Sequence, residues 1–167
     1  MAHESSKYTS NETIINWMLA QEYRMELNTP NPYREFERKA YLHRYDLNEL
    51  INSISKSNQK VAGYGASTKG NVILQFCQFS SSDIFGIAEI NEDKFGKYTP
   101  GSKIPILSED DIKKEKPDYM LVLPWHFREH IITREKEYLK NGGKLIFPLP
   151  EIELSLIHIS EPTRQSK

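Results

Sequence analysis

Lys60-Val-Ala-Gly-Tyr-Gly-Ala-Ser-Thr-Lys-Gly-Asn71 is the stretch from which the rest of the chain is read. A short apolar run, a glycine turn and the opening of a helix follow one another here. Gly63 and Gly65 permit a bend that a β-carbon would obstruct, and Gly70 allows close packing of helix on strand. The first N–H groups of a helix lack an internal partner, and the helix dipole favours negative charge beside them. Lys69 adds a positive charge in the same turn. These features predict a site for phosphate or diphosphate.

Downstream, strands and helices alternate. A strand at 61–64 leads into a helix over 68–79, and a second strand occupies 83–89. A Gly- and Pro-containing loop covers 91–105. Ser108 caps a short acidic helix that Pro117 ends. The apolar run 118–123 has the character of a central parallel strand. A helix over 127–140 stops at Asn141-Gly-Gly143, and 144–147 forms another strand before Pro148 and Pro150. The alternation predicts an α/β fold, a Rossmann-like doubly wound parallel sheet.

Two helices precede it. The first begins near Glu12 behind Ser10 and Asn11, with Ile15, Met18, Leu19 and Tyr23 on one packed stripe. Asn28-Thr-Pro-Asn-Pro32 is a loop. The second helix spans 32–55, where Leu47, Leu50, Ile51 and Ile54 recur at three- and four-residue steps. Its run Arg34-Glu-Phe-Glu-Arg-Lys39 reads as a solvated face with local ion pairs. The expected organisation is a helical connector at 1–58 and a Rossmann-like domain at 59–153.

The segment Leu154-Ser-Leu-Ile-His-Ile-Ser-Glu-Pro-Thr-Arg-Gln165 stands apart. It resembles the in-frame translation of a transposon-type sequencing adaptor. On that reading the natural sequence departs near Glu153, residues 154–167 are left out of fold reasoning, and His158 has no functional weight. The alternative is a genuine short strand and tail.

The 167 residues are 38% hydrophobic and 27% charged, with a net charge of −1 and both signs well mixed. This argues against a broad nucleic-acid or membrane surface while leaving room for a local anion pocket. The single cysteine, Cys77, excludes an internal disulfide and a cysteine-cluster metal site. No signal peptide or membrane-length apolar run is visible, so the expected location is cytoplasmic.

In a sheet of this type ligands bind beyond the carboxyl ends of the strands. Three segments reach that edge. In the glycine loop, Ser67 and Thr68 offer hydroxyls and Lys69 a charge. Glu89, about two dozen residues beyond Gly65, stands where an acid accepts hydrogen bonds from a ribose; a solvated strand-end acid is the plainer alternative. Pro124-Trp-His126 offers a rigid ring, an indole and an imidazole; equally, the Trp covers the sheet edge and the His caps the next helix. Tyr98 and Thr99 are weaker candidates. The glycine spacing departs from the dinucleotide fingerprint, because Thr68 stands where its third glycine belongs. It is not a Walker loop either, since Lys69 precedes Gly70 rather than a Ser or Thr.

Three blocks together resemble the C-terminal domain of sugar C-methyltransferases that act on nucleotide-linked deoxysugars. They are Gly63-Tyr-Gly-Ala-Ser-Thr-Lys-Gly-Asn71, Ala88-Glu-Ile-Asn-Glu-Asp-Lys-Phe-Gly-Lys-Tyr-Thr-Pro-Gly101 with Ile104-Pro105, and Leu121-Val-Leu-Pro-Trp-His-Phe-Arg128. Gly142-Gly-Lys-Leu-Ile-Phe-Pro148 closes the domain similarly. The resemblance covers nearly all of residues 12–153. It implies a parent enzyme with a zinc-binding segment and an S-adenosylmethionine domain upstream. There a base removes the proton beside a keto group, and the stabilised enolate carbon takes the methyl from the sulfonium. This chain lacks that segment's cysteines and the methyl-donor domain. It therefore receives no catalytic residue, no metal site and no cofactor of its own, and is expected to be inactive alone.

What the resemblance implies for this chain is NDP-sugar binding. Gly65, Ala66, Ser67, Thr68, Lys69, Gly70 and Asn71 would lie against the diphosphate; Glu89, Pro124, Trp125 and His126 would line the nucleoside or sugar end. Relatives often carry a small residue at the position of Thr68. The expected partners are an NDP-sugar and the upstream methyltransferase domain, with no nucleic acid and no membrane. Two other readings remain open: a fragment of an NAD-type dinucleotide-binding oxidoreductase, and a non-catalytic Rossmann-like scaffold.

Overall fold

The computed structural model describes residue 7 and residues 9–155. The chain forms two compact units, Met1–Leu42 and His43–Lys167. Within the second unit, Leu47, Ile51 and Ile54, late in the second helix, are buried in the same cluster as the sheet residues Val61, Ile87 and Leu121. No helix among the described residues is long and apolar enough to cross a membrane.

In the first unit, α1 spans Glu12–Arg24, and the Asn11 side chain caps it by accepting from the Ile14 N–H. The packed stripe expected here is absent: α1 has no buried residue. Ile14, Ile15, Trp17, Met18 and Leu19 are all exposed. At 100° per residue these positions spread over more than one face, too broad for a single seam. The second helix, α2, spans Asn31–Lys56. The Tyr33 hydroxyl donates to Leu27 O at 2.9 Å across the turn that precedes it.

The second unit is built on a six-stranded sheet. Its strands are β1 Val61–Tyr64, β2 Ile87–Glu89, β3 Ile106–Ser108, β4 Tyr119–Val122, β5 Lys144–Phe147 and β6 Glu153–Ser155, in the spatial order β3-β2-β1-β4-β5-β6. The first five are parallel, and β6 returns antiparallel against β5. The helices between them are α3 Thr68–Phe76, α4 Glu109–Lys114, α5 Arg128–Arg134 and α6 Lys136–Lys140. The strand order runs outward from β1 in one direction and from β4 in the other, so the switch point lies between these two strands.

Alternation along each strand divides the core into two layers. Val61, Ile87, Tyr119, Leu121 and Ile146 point to one face, where Leu47, Ile51 and Ile54 of α2 and Ile73 and Leu74 of α3 meet them. Ala62, Tyr64, Met120, Val122, Leu145 and Phe147 point to the other, against Ile112, Ile131 and Leu139. Each large side chain removed from water contributes about 1.5–3 kcal/mol. The doubly covered parallel sheet and the two preceding helices agree with the sequence reading.

Three expectations change in detail. The second strand starts at Ile87 rather than 83, because Ser80 and Asp83 form a turn in which Asp83 Oδ2 accepts from the Ser80 N–H at 2.8 Å. A further strand, β3, lies between the end of the expected loop at 105 and the helix that Ser108 caps. The helix expected over 127–140 begins with a 3-10 turn at Trp125–Phe127 and divides at Glu135 into α5 and α6. In the tail, residues 154 and 155 belong to β6. The remainder of the adaptor-like segment, His158 included, lies outside the described residues.

Candidate functional site

The turn after β1 is shaped by a contact with the end of β4. Gly65 has φ +76°, and a β-carbon there would sit 3.0 Å from both Cδ and Cγ of Pro124. One helical turn on, a β-carbon at Gly70 would lie 2.4 Å from Leu123 Cβ. Both glycines are thus required where the glycine loop crosses the switch point. The Gly65 N–H donates to Ala88 O at 2.8 Å and the Ser67 N–H to Gly65 O at 2.9 Å.

Ser67 caps α3. Its Oγ accepts from the Gly70 N–H at 2.9 Å, and its carbonyl accepts from the Asn71 N–H at 3.0 Å. The Thr68 and Lys69 N–H groups, in the first turn of α3, meet no acceptor among the described residues. They are the orphan donors that a helix start presents to an anion.

Glu89 holds this turn from the side. Its Oε2 accepts from the Ala66 N–H at 3.1 Å and from Lys94 Nζ at 3.0 Å; its Oε1 accepts from the Ile90 and Asn91 N–H groups at 2.9 and 3.1 Å. Lys94 also donates to Ala66 O at 3.0 Å. Burial pushes the Glu89 pKa up, but the Lys94 ammonium and the Asn91 and Ile90 N–H groups outweigh it and hold the carboxyl below the usual range. Four donors from within the chain fill the acceptor positions that the sequence reading reserved for a ribose. In this arrangement Glu89 clasps the loop.

Two cavities have Ala66 and Ser67 in their walls. The larger, about 310 Å³, is walled by Tyr64 to Ser67, Ile90, Pro124, Phe127, His130 and Arg134 among others. The smaller, about 230 Å³, has Thr68, Asn71, Leu74, Thr99, Pro100, Ile106 and Leu123 in its walls. Of the sequence-predicted residues, Gly65, Ala66, Ser67, Thr68, Asn71, Glu89 and Pro124 come together around these spaces. Lys69, Gly70, Trp125 and His126 line neither. Gly70 serves packing, and Lys69 is exposed. Trp125 is half-buried against both core layers. His126 is exposed, with its ring centroid 4.3 Å from that of Phe127. Thr99 is buried, and its hydroxyl accepts from the Ile104 N–H at 2.9 Å, while Tyr98 is exposed. Asn71 Oδ1 is buried without a hydrogen-bond partner.

Sequence reasoning missed Lys94, Glu109, His130 and Arg134, all in the walls of the larger cavity. Arg134 donates to the Tyr64 hydroxyl at 3.0 Å and pairs with Glu109. Burial opposes its charge, but Tyr64, Glu109 and Glu135 more than compensate and keep its pKa above the ordinary value. The Tyr64 hydroxyl in turn donates to Glu135 Oε1 at 3.1 Å, and Lys113 Nζ lies 3.0 Å from Glu135 Oε2. Burial first, then the Glu135 charge, pushes the Tyr64 pKa up.

A further cavity of about 630 Å³ opens beside the amino ends of β4 and β5, next to Pro117, Asp118, Gly142 and Gly143. It lies away from the glycine turn, at the strand ends where parallel sheets do not place ligands. Among the described residues no group of three or more His, Cys, Asp or Glu is arranged to hold a metal ion. Cys77 is buried, and burial pushes its thiol up to about 11.

A family profile described as the C-methyltransferase C-terminal domain matches residues 1–150. The chain is also similar to the C-methyltransferase NovU of Streptomyces niveus, at 39% identity over 134 residues. That alignment covers 80% of this chain and 32% of the relative, so the chain spans about a third of the relative's length. The profile spans both the helices and the glycine-turn sheet: the chain belongs to the family of C-methyltransferase C-terminal domains.

Proposed function

We propose that this domain holds the NDP-sugar substrate of an S-adenosylmethionine-dependent sugar C-methyltransferase, in the cytoplasm, while an upstream domain transfers the methyl group to a carbon beside a keto group. The methyl donor supplies an electrophilic methyl on a sulfonium. The residues of this chain bind and orient the acceptor, and none of them is assigned a proton transfer.

The observation that carries this reading is the open first turn of α3 at the switch point. The Thr68 and Lys69 N–H groups are left without an internal acceptor there, and Thr68 lines the smaller cavity of about 230 Å³. The Ser67 and Thr68 hydroxyls stand beside them. Charge-assisted hydrogen bonds of this kind contribute about 1.5–3 kcal/mol each, enough to anchor a diphosphate and far short of chemistry. In this role Gly65, Ala66 and Pro124 shape the cradle, Glu89 fixes it, and Asn71 lies at the smaller cavity. Trp125 and His126 flank it from the end of β4.

Calorimetric titration of the isolated chain with dTDP and with NAD tests the reading. Binding of dTDP in the micromolar to millimolar range, with NAD weaker, is the expected result. Tighter NAD binding would move the chain to the oxidoreductase reading. Binding of neither would leave a scaffold, and the proposal would fail.

A further inference from the structure

The two cavities at the switch point share three lining residues: Ala66, Ser67 and Lys94. Lys94 is the one charged residue common to both walls. Lys94 ends the 3-10 turn Glu92–Lys94, which the Asn91 side chain opens by accepting from the Asp93 N–H at 3.0 Å. Its Nζ is anchored twice, on Ala66 O and Glu89 Oε2, both at 3.0 Å. An ammonium has three N–H donors, so one remains to be used. The side chain retains 40% of its exposure.

Both cavities are walled mainly by apolar side chains; the larger adds Glu109, His130 and Arg134, and the smaller Thr68, Asn71 and Thr99. A ligand that reaches into both passes Ala66, Ser67 and Lys94, the residues their walls share, and an anionic segment there would meet the remaining Lys94 N–H.

Resting on the NDP-sugar reading above, we infer that Lys94, rather than the Lys69 side chain, is the cation that binds the diphosphate bridge, with one end of the NDP-sugar in each cavity. Lys69 takes part through its backbone N–H alone. The Glu89 carboxylate acts as a positioning group: it holds the Lys94 ammonium beside Ala66, at the cost of half its charge complementarity to an anion.

The test is a titration of wild type, Lys94→Gln, Lys94→Arg, Lys69→Ala and Glu89→Gln with dTDP-glucose and with inorganic pyrophosphate. Wild type should bind both. Lys94→Gln keeps a hydrogen-bond donor but removes the charge, and should weaken both ligands by about tenfold or more, the loss of one charge-assisted contact. Lys94→Arg and Lys69→Ala should stay within about threefold of wild type. Glu89→Gln, which loosens the hold on the ammonium while keeping it, should fall between wild type and Lys94→Gln. If Lys94→Gln binds as wild type does, or Glu89→Gln loses as much, the inference is overturned while the NDP-sugar reading stands. If wild type binds neither ligand, both fall. Pyrophosphate added to isotope-labelled wild type gives a second readout, independent of whether a variant folds. Amide resonances of Ala66 to Lys69 and of Lys94 should shift together; shifts confined elsewhere would overturn the assignment.

Discussion

The Tyr64 hydroxyl donates to Glu135 Oε1 at 3.1 Å inside the protein, joining the last residue of β1 to the break between α5 and α6. The same hydroxyl accepts from Arg134 at 3.0 Å. One phenol therefore serves both an acid that is 3% exposed and a guanidinium at the larger cavity. Tyr64→Phe removes a donor from Glu135 and an acceptor from Arg134 together. The expected cost is about 1–3 kcal/mol, read as a lower urea midpoint with an unchanged slope.

Glu89 makes the domain sensitive to acid. Its folded pKa lies below the ordinary glutamate value of 4.5, so the unfolded chain takes up the proton first. The stability contributed is present above 4.5 and is lost as pH falls through the lower, folded value. Melting curves of wild type and Glu89→Gln should differ most near neutrality and converge as pH falls below 4.5. A gap that stays constant down to pH ~3 would remove the clasp from the account.

Gly70 tests the packing of α3. An alanine methyl would arrive 2.4 Å from Leu123 Cβ, and neither neighbour is a flexible chain end. Gly70→Ala should lower stability by about 1–3 kcal/mol, the range for overpacking. It should also weaken dTDP, because displacing α3 moves the Thr68 and Lys69 N–H groups. Gly142→Ala is a useful contrast: its φ of +91° carries strain, but a β-carbon meets nothing within 4 Å, so dTDP binding should be unchanged.

Trp125 gives an optical probe. The chain has two tryptophans, and Trp17 is 64% exposed whereas Trp125 packs against both core layers beside the switch point. In a Trp17→Phe background, dTDP should change the remaining emission, and an additional Trp125→Phe change should abolish the signal. Unaltered emission at saturating ligand would place the ligand away from the end of β4.

The sequence made the glycine turn, the buried strand β4 and the doubly wound order legible, because each depends on local signals: a φ-permissive residue, an apolar run, a stop. Residues whose role arises from chain crossings were not legible. Lys94 lies in a Gly- and Pro-containing loop, and its part at the site comes from meeting Ala66, 28 positions earlier. The three-residue strand β3 was hidden for a similar reason: Ile106-Leu-Ser108 is too short to show alternation until Ile87-Ala-Glu89 pairs with it. The division at Glu135 was missed because the helical pattern continues through it. The acid turns inward to reach Tyr64 and Lys113. α1 erred in the opposite direction, since apolar residues at helical spacing invite a buried face that none of them has.

The contact of Gly65 with Pro124 has a consequence for anyone diversifying this domain. The β-carbon contact at 3.0 Å and the φ of +76° both select glycine at 65. Libraries that vary residue 65 alone should return glycine almost exclusively, and varying 124 with it should relieve the contact but not the backbone preference. On the proposed function, selection for new acceptor sugars will therefore progress faster at His130, an exposed position in the wall of the larger cavity.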